Sequence, residues 1–357
     1  MNKNDLFSMV GDNTDLHSKL ITVITIGLML TVTSYSSQIH LTFAQQMPHL
    51  KVAFVTDGKF SDEGWGATGY NATQKLKSKY GIQLATADSI AIPDIESTLR
   101  DYADSGYNLI IAQGFQWGDP VVRVASDYPD VKFVVMTGTV SLRPNVASIF
   151  PMQQQGSFLL GALAAIMSKT GVIGFVGGQE YPNVINIEEG YKQGGKYINP
   201  NIKVLTSYVG EWNNPAKAKE IALTQINSGA DFLLHVADTS GHGVIEAAQQ
   251  KGVYAFGAVA DQNKLAPNTV LTSFVLDMDK AYDQVFKQVQ QGNFRDGITK
   301  PGLELSKGGP QNGIVYLAPF HNLDRKVTPE VKERLKQLTF DIINGKIQVP
   351  ERGTATS

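Results

Sequence analysis

Between Tyr208 and Phe274 the chain reads strand, loop, helix, strand, loop, helix, strand: YVGEWNNPAKAKEIALTQINSGADFLLHVADTSGHGVIEAAQQKGVYAFGAVADQNKLAPNTVLTSF. Each short apolar run ends in a polar or glycine-rich loop, and those loops carry Trp212, Asp238 and Asp261. Strands separated by helices pair in parallel and are buried on both faces, which is why they read as continuous apolar runs. Open α/β sheets bind ligands beyond the carboxyl ends of their strands. The recognition chemistry of this chain is therefore expected in its strand-end loops.

The same rhythm starts at Leu50. Strands are expected at KVAFVTD (51–57), IQLATAD (82–88), LIIAQG (109–114), KFVVMTG (132–138) and VASIF (146–150), with helices near 62–80, 94–105 and 118–128 between them. A second set follows: GVIGFVG (171–177), KVLTSYVG (203–210), DFLLHVA (231–237), VYAFGAV (253–259) and TVLTSFV (269–275). The pattern implies two doubly wound α/β lobes, 50–153 and 154–275, with a helix over 154–168 near the join. The stretch 276–357 changes character: it is Gly- and Pro-rich, with LELSKGG and GIVYLAPF as strands and an amphipathic helix at 329–343. By analogy with two-lobed folds, such late strands complete the first lobe, cross between the lobes and form a multi-strand hinge.

The N-terminal region is organised differently. Lys19 precedes the apolar run LITVITIGLMLTV, and a Ser/Thr-rich stretch leads to Thr42-Phe43-Ala44. That order matches a secretory signal over 1–44, and the run is shorter than the roughly 20 residues that span a bilayer. An uncleaved membrane anchor is the alternative, and both place the remainder outside the cytoplasm. The chain has no cysteine, so disulfides, thiolate nucleophiles, Cys-ligated zinc and a lipid-modified cysteine are all excluded. A formal net charge of −2 argues against a nucleic-acid partner.

Residues 64–69, GWGATG, match GxGxxG, with Asp88 19 residues beyond Gly69. In a dinucleotide site the first glycine ends the strand, whereas here six residues separate Asp57 from Gly64, so no nucleotide cofactor is expected. Trp65 instead offers a flat face with glycines around it. Trp212, just before the helix start Asn213-Asn214-Pro215, sits on the corresponding rim of the second lobe, either packed in its loop or facing a ligand. Phe115 and Trp117, following LIIAQG, either line the same cleft or cap the lobe. His235 lies inside an apolar strand and reads as a packed residue, while His242, in SGHGV, is a ligand candidate that can pair with Asp238. GxSxG, GxxxxGK[ST] and HExxH are absent, and the acid–base pair has no nucleophile beside it, so a binding protein without cofactor or metal is expected rather than an enzyme.

The segments YVGEWNNPAKAKEIALTQINSGAD, HVADTSGHGVIEAAQQKGVYAFG, DQNKLAPNTVLTSF, QQGSFLLGALAAIMSKTGVIGFVGG and DEGWG resemble the basic membrane protein family, which includes purine nucleoside receptors. The similarity runs in order over roughly residues 50–320. It implies a type I periplasmic-binding-protein fold with a three-strand hinge and a ligand held between the lobes. It also implies a solute receptor for an ABC importer permease, with a minority of members acting in regulation. By the resemblance, Trp65 and Trp212 are the aromatics that stack on the base, Asp57 and Asp62 are the acidic positions of the first-lobe loop, and Asp261-Gln262 closes the DxDQ loop. Val259 replaces the first Asp of that loop, and Leu276 stands where nucleoside receptors place a lysine. Both positions are expected to hold ribose, so a free base, a modified nucleoside or another flat heterocycle is implied beside a purine nucleoside.

Overall fold

The computed structural model describes residues 50–309 and 313–352; the expected signal or anchor over 1–44 lies outside them. The described residues form one compact unit. Its first sheet is built from β1 (Lys51–Thr56), β2 (Gln83–Ala87), β3 (Leu109–Gln113), β4 (Lys132–Met136), β5 (Val146–Ile149) and, much later in the chain, β11 (Gly297–Thr299). The second contains β6 (Val172–Gly177), β7 (Lys203–Tyr208), β8 (Phe232–Val236), β9 (Tyr254–Val259), β10 (Val270–Leu276) and β12 (Val315–Leu317). The strand orders are β11-β5-β4-β3-β1-β2 and β12-β10-β9-β8-β6-β7, so the two sheets repeat one topology. Pairing is parallel throughout except that β12 runs antiparallel to β10.

The apolar runs become central strands for a simple reason. Val52, Phe54, Ile110, Val134 and Leu233 are wholly excluded from solvent, and burying each such side chain is worth ~1.5–3 kcal/mol. Around the first sheet pack α1 (Trp65–Tyr80), α2 (Ile95–Asp104), α3 (Gly118–Ala125) and α8 (Met278–Gln290). Around the second pack α4 (Gln153–Met167), α5 (Pro182–Ile198), α6 (Pro215–Asn227), α7 (Asp238–Lys251) and α9 (Pro329–Ile343). Helix starts follow their local chemistry: Asn214, Asp277 and Thr328 each accept a first-turn N–H, with Pro215 and Pro329 at the next position. α4 and α5 approach closely enough that a Cβ on Gly194 would lie 1.9 Å from the Phe158 carbonyl oxygen.

The chain passes between the sheets three times, after β5, β10 and β11. The crossing segments bond to one another: Phe150 N–H to Thr299 O (2.8 Å), Met152 N–H to Pro301 O (2.9 Å) and Asp277 N–H to Ile314 O (2.7 Å). The third crossing corrects an expectation. LELSKGG is not a strand; only Leu303 forms an isolated bridge, to Val315, because the chain turns at Gly308 (φ +67°), where Asp277 accepts its N–H. The short strand at 297–299 was not anticipated, nor were the helices at 182–198 and 278–290. Among the described residues no helix is long and apolar enough to cross a membrane.

Candidate functional site

The carboxyl ends of β1, β3, β4, β6, β8 and β9 converge on a cleft between the two sheets. It encloses about 470 Å³, counting the part open to solvent. Four aromatic rings line it: Trp65 and Phe115 from the first sheet's loops, Tyr181 and Trp212 from the second's.

Trp65 is the first residue of α1, and the loop before it is folded around a buried carboxylate. Asp62 accepts the N–H groups of Gly64 (2.8 Å), Gly66 (2.7 Å) and Ala67 (3.0 Å). Behind it Gln113, at the end of β3, donates Nε2 to the Trp65 carbonyl (2.6 Å) and accepts from Tyr282 Oη (2.5 Å), which fixes the helix start against α8. Trp212 lies flat on Gly178, where an added Cβ would sit 2.2 Å from its Cε3. Gly178→Ala is therefore expected to tilt that indole out of register and to weaken ligand binding by about 1 kcal/mol, the worth of a well-placed aromatic contact. Calorimetric titration beside a melting curve checks it: unchanged affinity, or a loss matched by unfolding, would count against this role. Tyr181 continues the aromatic wall, its ring 5.8 Å from that of Trp212 and 6.1 Å from that of Phe115 across the cleft.

Two carboxylates face this aromatic space. Asp57 directly follows β1; burial pushes its pKa up, and its backbone, Gln116 and Trp117 pull it partway back. Asp238 opens α7, and burial raises it well above the carboxylate range, with repulsion from Asp62 and Asp57 adding to the effect. Among the described residues, the lining contains no lysine, arginine or histidine. It also concentrates backbone strain. Thr137, Asp238 and Val259 all have positive φ (63°, 47° and 69°), and a β-branched residue in that region is an outlier of the kind that clusters at ligand clamps. Thr137 and Val259 follow or end β4 and β9, which occupy the same place in the two sheets.

Of the residues singled out in the sequence, Asp57, Trp65, Phe115, Trp212 and Asp238 are brought together here. Four others are not. Asp62 is consumed by its own loop, and Trp117 is fully buried in the first sheet's core. His242 directs Nε2 to the Asp62 carbonyl (3.2 Å), and Asp261 pairs outside the cleft with His321 (2.7 Å). His242 nonetheless joins the two sides, as does Gln262, whose Nε2 donates to the Glu63 carbonyl (3.4 Å). Leu276 is buried and pairs with Val315, whereas Val259 does line the cleft. The sequence reading passed over Tyr181, Gln116, Thr137, Gln153 and Asn183. Tyr181 had a signal, since it stands in the strand-end loop after β6 just before a helix-starting proline; the polar four had none.

Residues 49–352 match the family of PnrA-like ABC transporter substrate-binding proteins. The chain is 32% identical over 305 residues to basic membrane protein A of Borreliella afzelii, covering 84% of this chain and 91% of that one. It is 29% identical to a purine-binding protein of Brucella abortus, covering 84% of each. Among solved structures it resembles an ABC transporter solute-binding protein from Aeropyrum pernix, at 22% identity and a TM-score of 0.75, over 85% of this chain and 94% of that one. It also resembles a transcriptional activator of the comK gene from Bacillus halodurans, at 26% identity and a TM-score of 0.69, over 83% and 98%.

Proposed function

The chain belongs to the family of PnrA-like ABC transporter substrate-binding proteins, and on that premise we propose that it captures a purine nucleoside, a purine base or a similar flat heterocycle between its two lobes. The observation that carries this is the placing of Trp65 and Trp212, from opposite sheets, in one cleft at the strand carboxyl ends. A ring entering between them exchanges water for aromatic contact, and Asp57, Asp238, Gln116 and Asn183 supply polar partners at its edge. Closure is driven only by the ligand's better fit to the closed arrangement, in which His242 and Gln262 join the loop that carries Trp65. The Brucella abortus relative's name supports the purine assignment. The family and the signal-like segment at 1–44 support delivery to an ABC permease outside the cytoplasm. Trp65 and Trp212 are the stacking residues, Asp57 and Asp238 the hydrogen-bond acceptors.

Trp65→Ala and Trp212→Ala are each expected to weaken binding by about 1–3 kcal/mol, the value of one base–aromatic stack, with the fold intact. Titration of both variants with purine nucleosides, bases, pyrimidine nucleosides and sugars checks this; affinity unchanged in both would remove the sandwich. A second reading is favoured by the solved comK activator, which shares the fold at 26% identity: a ligand sensor without a transport role. Disrupting the gene separates the two readings. Loss of uptake of the bound solute marks a receptor, and intact uptake with altered transcription marks a sensor.

A further inference from the structure

We infer that the cleft selects flat ligands that carry a positive charge or a cluster of N–H donors, and rejects anionic ligands of the same shape. This rests on the aromatic cleft proposed above and adds the electrostatic class of its occupant. Asp57 and Asp238 both reach the lining, from the first and second sheets respectively, so a ring held between Trp65 and Trp212 meets an acceptor from each side. Neither carboxylate is in an ion pair among the described residues, and no cationic side chain shares the lining. The third acid nearby, Asp62, has all its bonds committed to backbone N–H groups, so it adds repulsion without adding a contact.

Burial disfavours a negative charge on Asp238, and repulsion from Asp62 and Asp57 adds to that penalty. A donor-rich or cationic ligand relieves it. A phosphate or carboxylate on the ligand intensifies it, and like charges cost most where closure excludes water. The aromatic walls act in the same direction, because the faces of tryptophan and tyrosine attract cations. On the second sheet's side Val184, Val236 and Val259 offer nothing to an anion, Asn183 brings a neutral amide and no charge, and Val259 holds its apolar side chain there despite a positive φ.

The test uses pairs of similar shape, titrated into the full chain by calorimetry at neutral pH: neutral, amino-bearing adenine against anionic urate, and cationic tryptamine against anionic indole-3-acetate. The amino member of a pair is expected to bind at least about tenfold more tightly, the scale of one hydrogen bond to a charged group. Asp57→Asn and Asp238→Asn are each expected to narrow that ratio, by weakening the amino member and strengthening the anion. Failure of the purine reading and failure of this inference look different. If neither purine binds but tryptamine outcompetes indole-3-acetate, the charge selection stands and the purine assignment falls. If either anion binds as tightly as its partner, if both asparagine variants leave the ratio unchanged, or if no member of either pair binds, the inference is overturned.

Discussion

Lys280→Met lowers the stability of the folded protein by about 3–5 kcal/mol, the cost of stranding a buried charge. Lys280 lies in the first turn of α8, just past the second crossing between the sheets. Its Nζ contacts Glu304 Oε2 at 2.5 Å and donates to the carbonyls of Gly309 (3.1 Å) and Gly313 (2.8 Å), all on the third crossing. The Glu304 side chain has no solvent exposure at all. Burial pushes its pKa up and Lys280 pulls it down, so without the ammonium the carboxyl must either protonate or drag water into the crossing. At roughly 2–4 °C per kcal/mol for a large domain, the melting midpoint falls by on the order of 10 °C. The double variant Lys280→Met, Glu304→Leu restores most of the loss, because an apolar pair of similar volume often matches a buried ion pair. A loss below 1 kcal/mol, or a double variant no better than the single, contradicts this account.

That ion pair also shows what sequence patterning could and could not reveal about the fold. The central strands were legible because parallel strands buried on both faces carry continuous apolar runs, as VAFV in β1 and LIIA in β3 do. The third crossing was not. LELSKGG alternates like a strand, yet its conformation is set by Lys280 and Asp277, some 25 or more residues earlier, binding its backbone. β11 has three residues, two of them exposed, and no core to declare it. α5 hid for another reason: its buried face includes Glu188, which pairs with Lys192 and accepts from Tyr208, and Gly190 and Gly194, which let α4 approach. Hydrophobic periodicity does not register a face made of glycine and a satisfied carboxylate.

The site was legible to the level of the loop and not of the side chain. Asp57, Trp65, Phe115, Trp212 and Asp238, singled out by strand-end position, share one cleft. Asp62 and Asp261 occupy loops of the same kind, but a short carboxylate among free backbone N–H groups turns inward to them, as Asp62 does, and an exposed one takes a neighbouring imidazole, as Asp261 does. Trp117 follows Phe115 by two residues in a tight 3₁₀ turn, which sends one ring to the cleft and the other into the core. Only the third dimension separates such neighbours.

Acid exposes the second large effect. His235 sits in the middle of the second sheet, fully excluded from water, with a Cβ on Gly241 able to come within 2.0 Å of its Nδ1. Burial, with repulsion from His242, pushes its pKa down to about 4 from the ordinary 6.5, while Gln262 nearby opposes the shift. The unfolded chain therefore takes up a proton below about pH 6.5 that the folded chain refuses until about pH 4, so the unfolded state binds more protons across that window and stability falls as pH falls. The stabilisation is complete above pH 6.5 and amounts to about 3 kcal/mol over the window at 1.36 kcal/mol per pKa unit. Asp57, Asp62 and Asp238, whose pKa values are raised by burial, act in the opposite sense and gain stability as they protonate in the fold. The wild-type curve alone thus mixes both. Subtracting the curve of His235→Gln, which keeps a polar group but cannot ionise, isolates the histidine. The difference between the two proteins should change by about 3 kcal/mol between pH 7 and pH 4, with the variant losing less in acid. His235 lies beneath the start of α7, where Asp238 and His242 stand, and beside Gln262, which reaches across to Glu63. A proton forced onto it would therefore loosen the same wall that closes on the ligand. Denaturant titrations at half-unit pH steps decide it: parallel curves for the two proteins would mean that His235 is hydrated or paired in solution and contributes nothing to acid sensitivity.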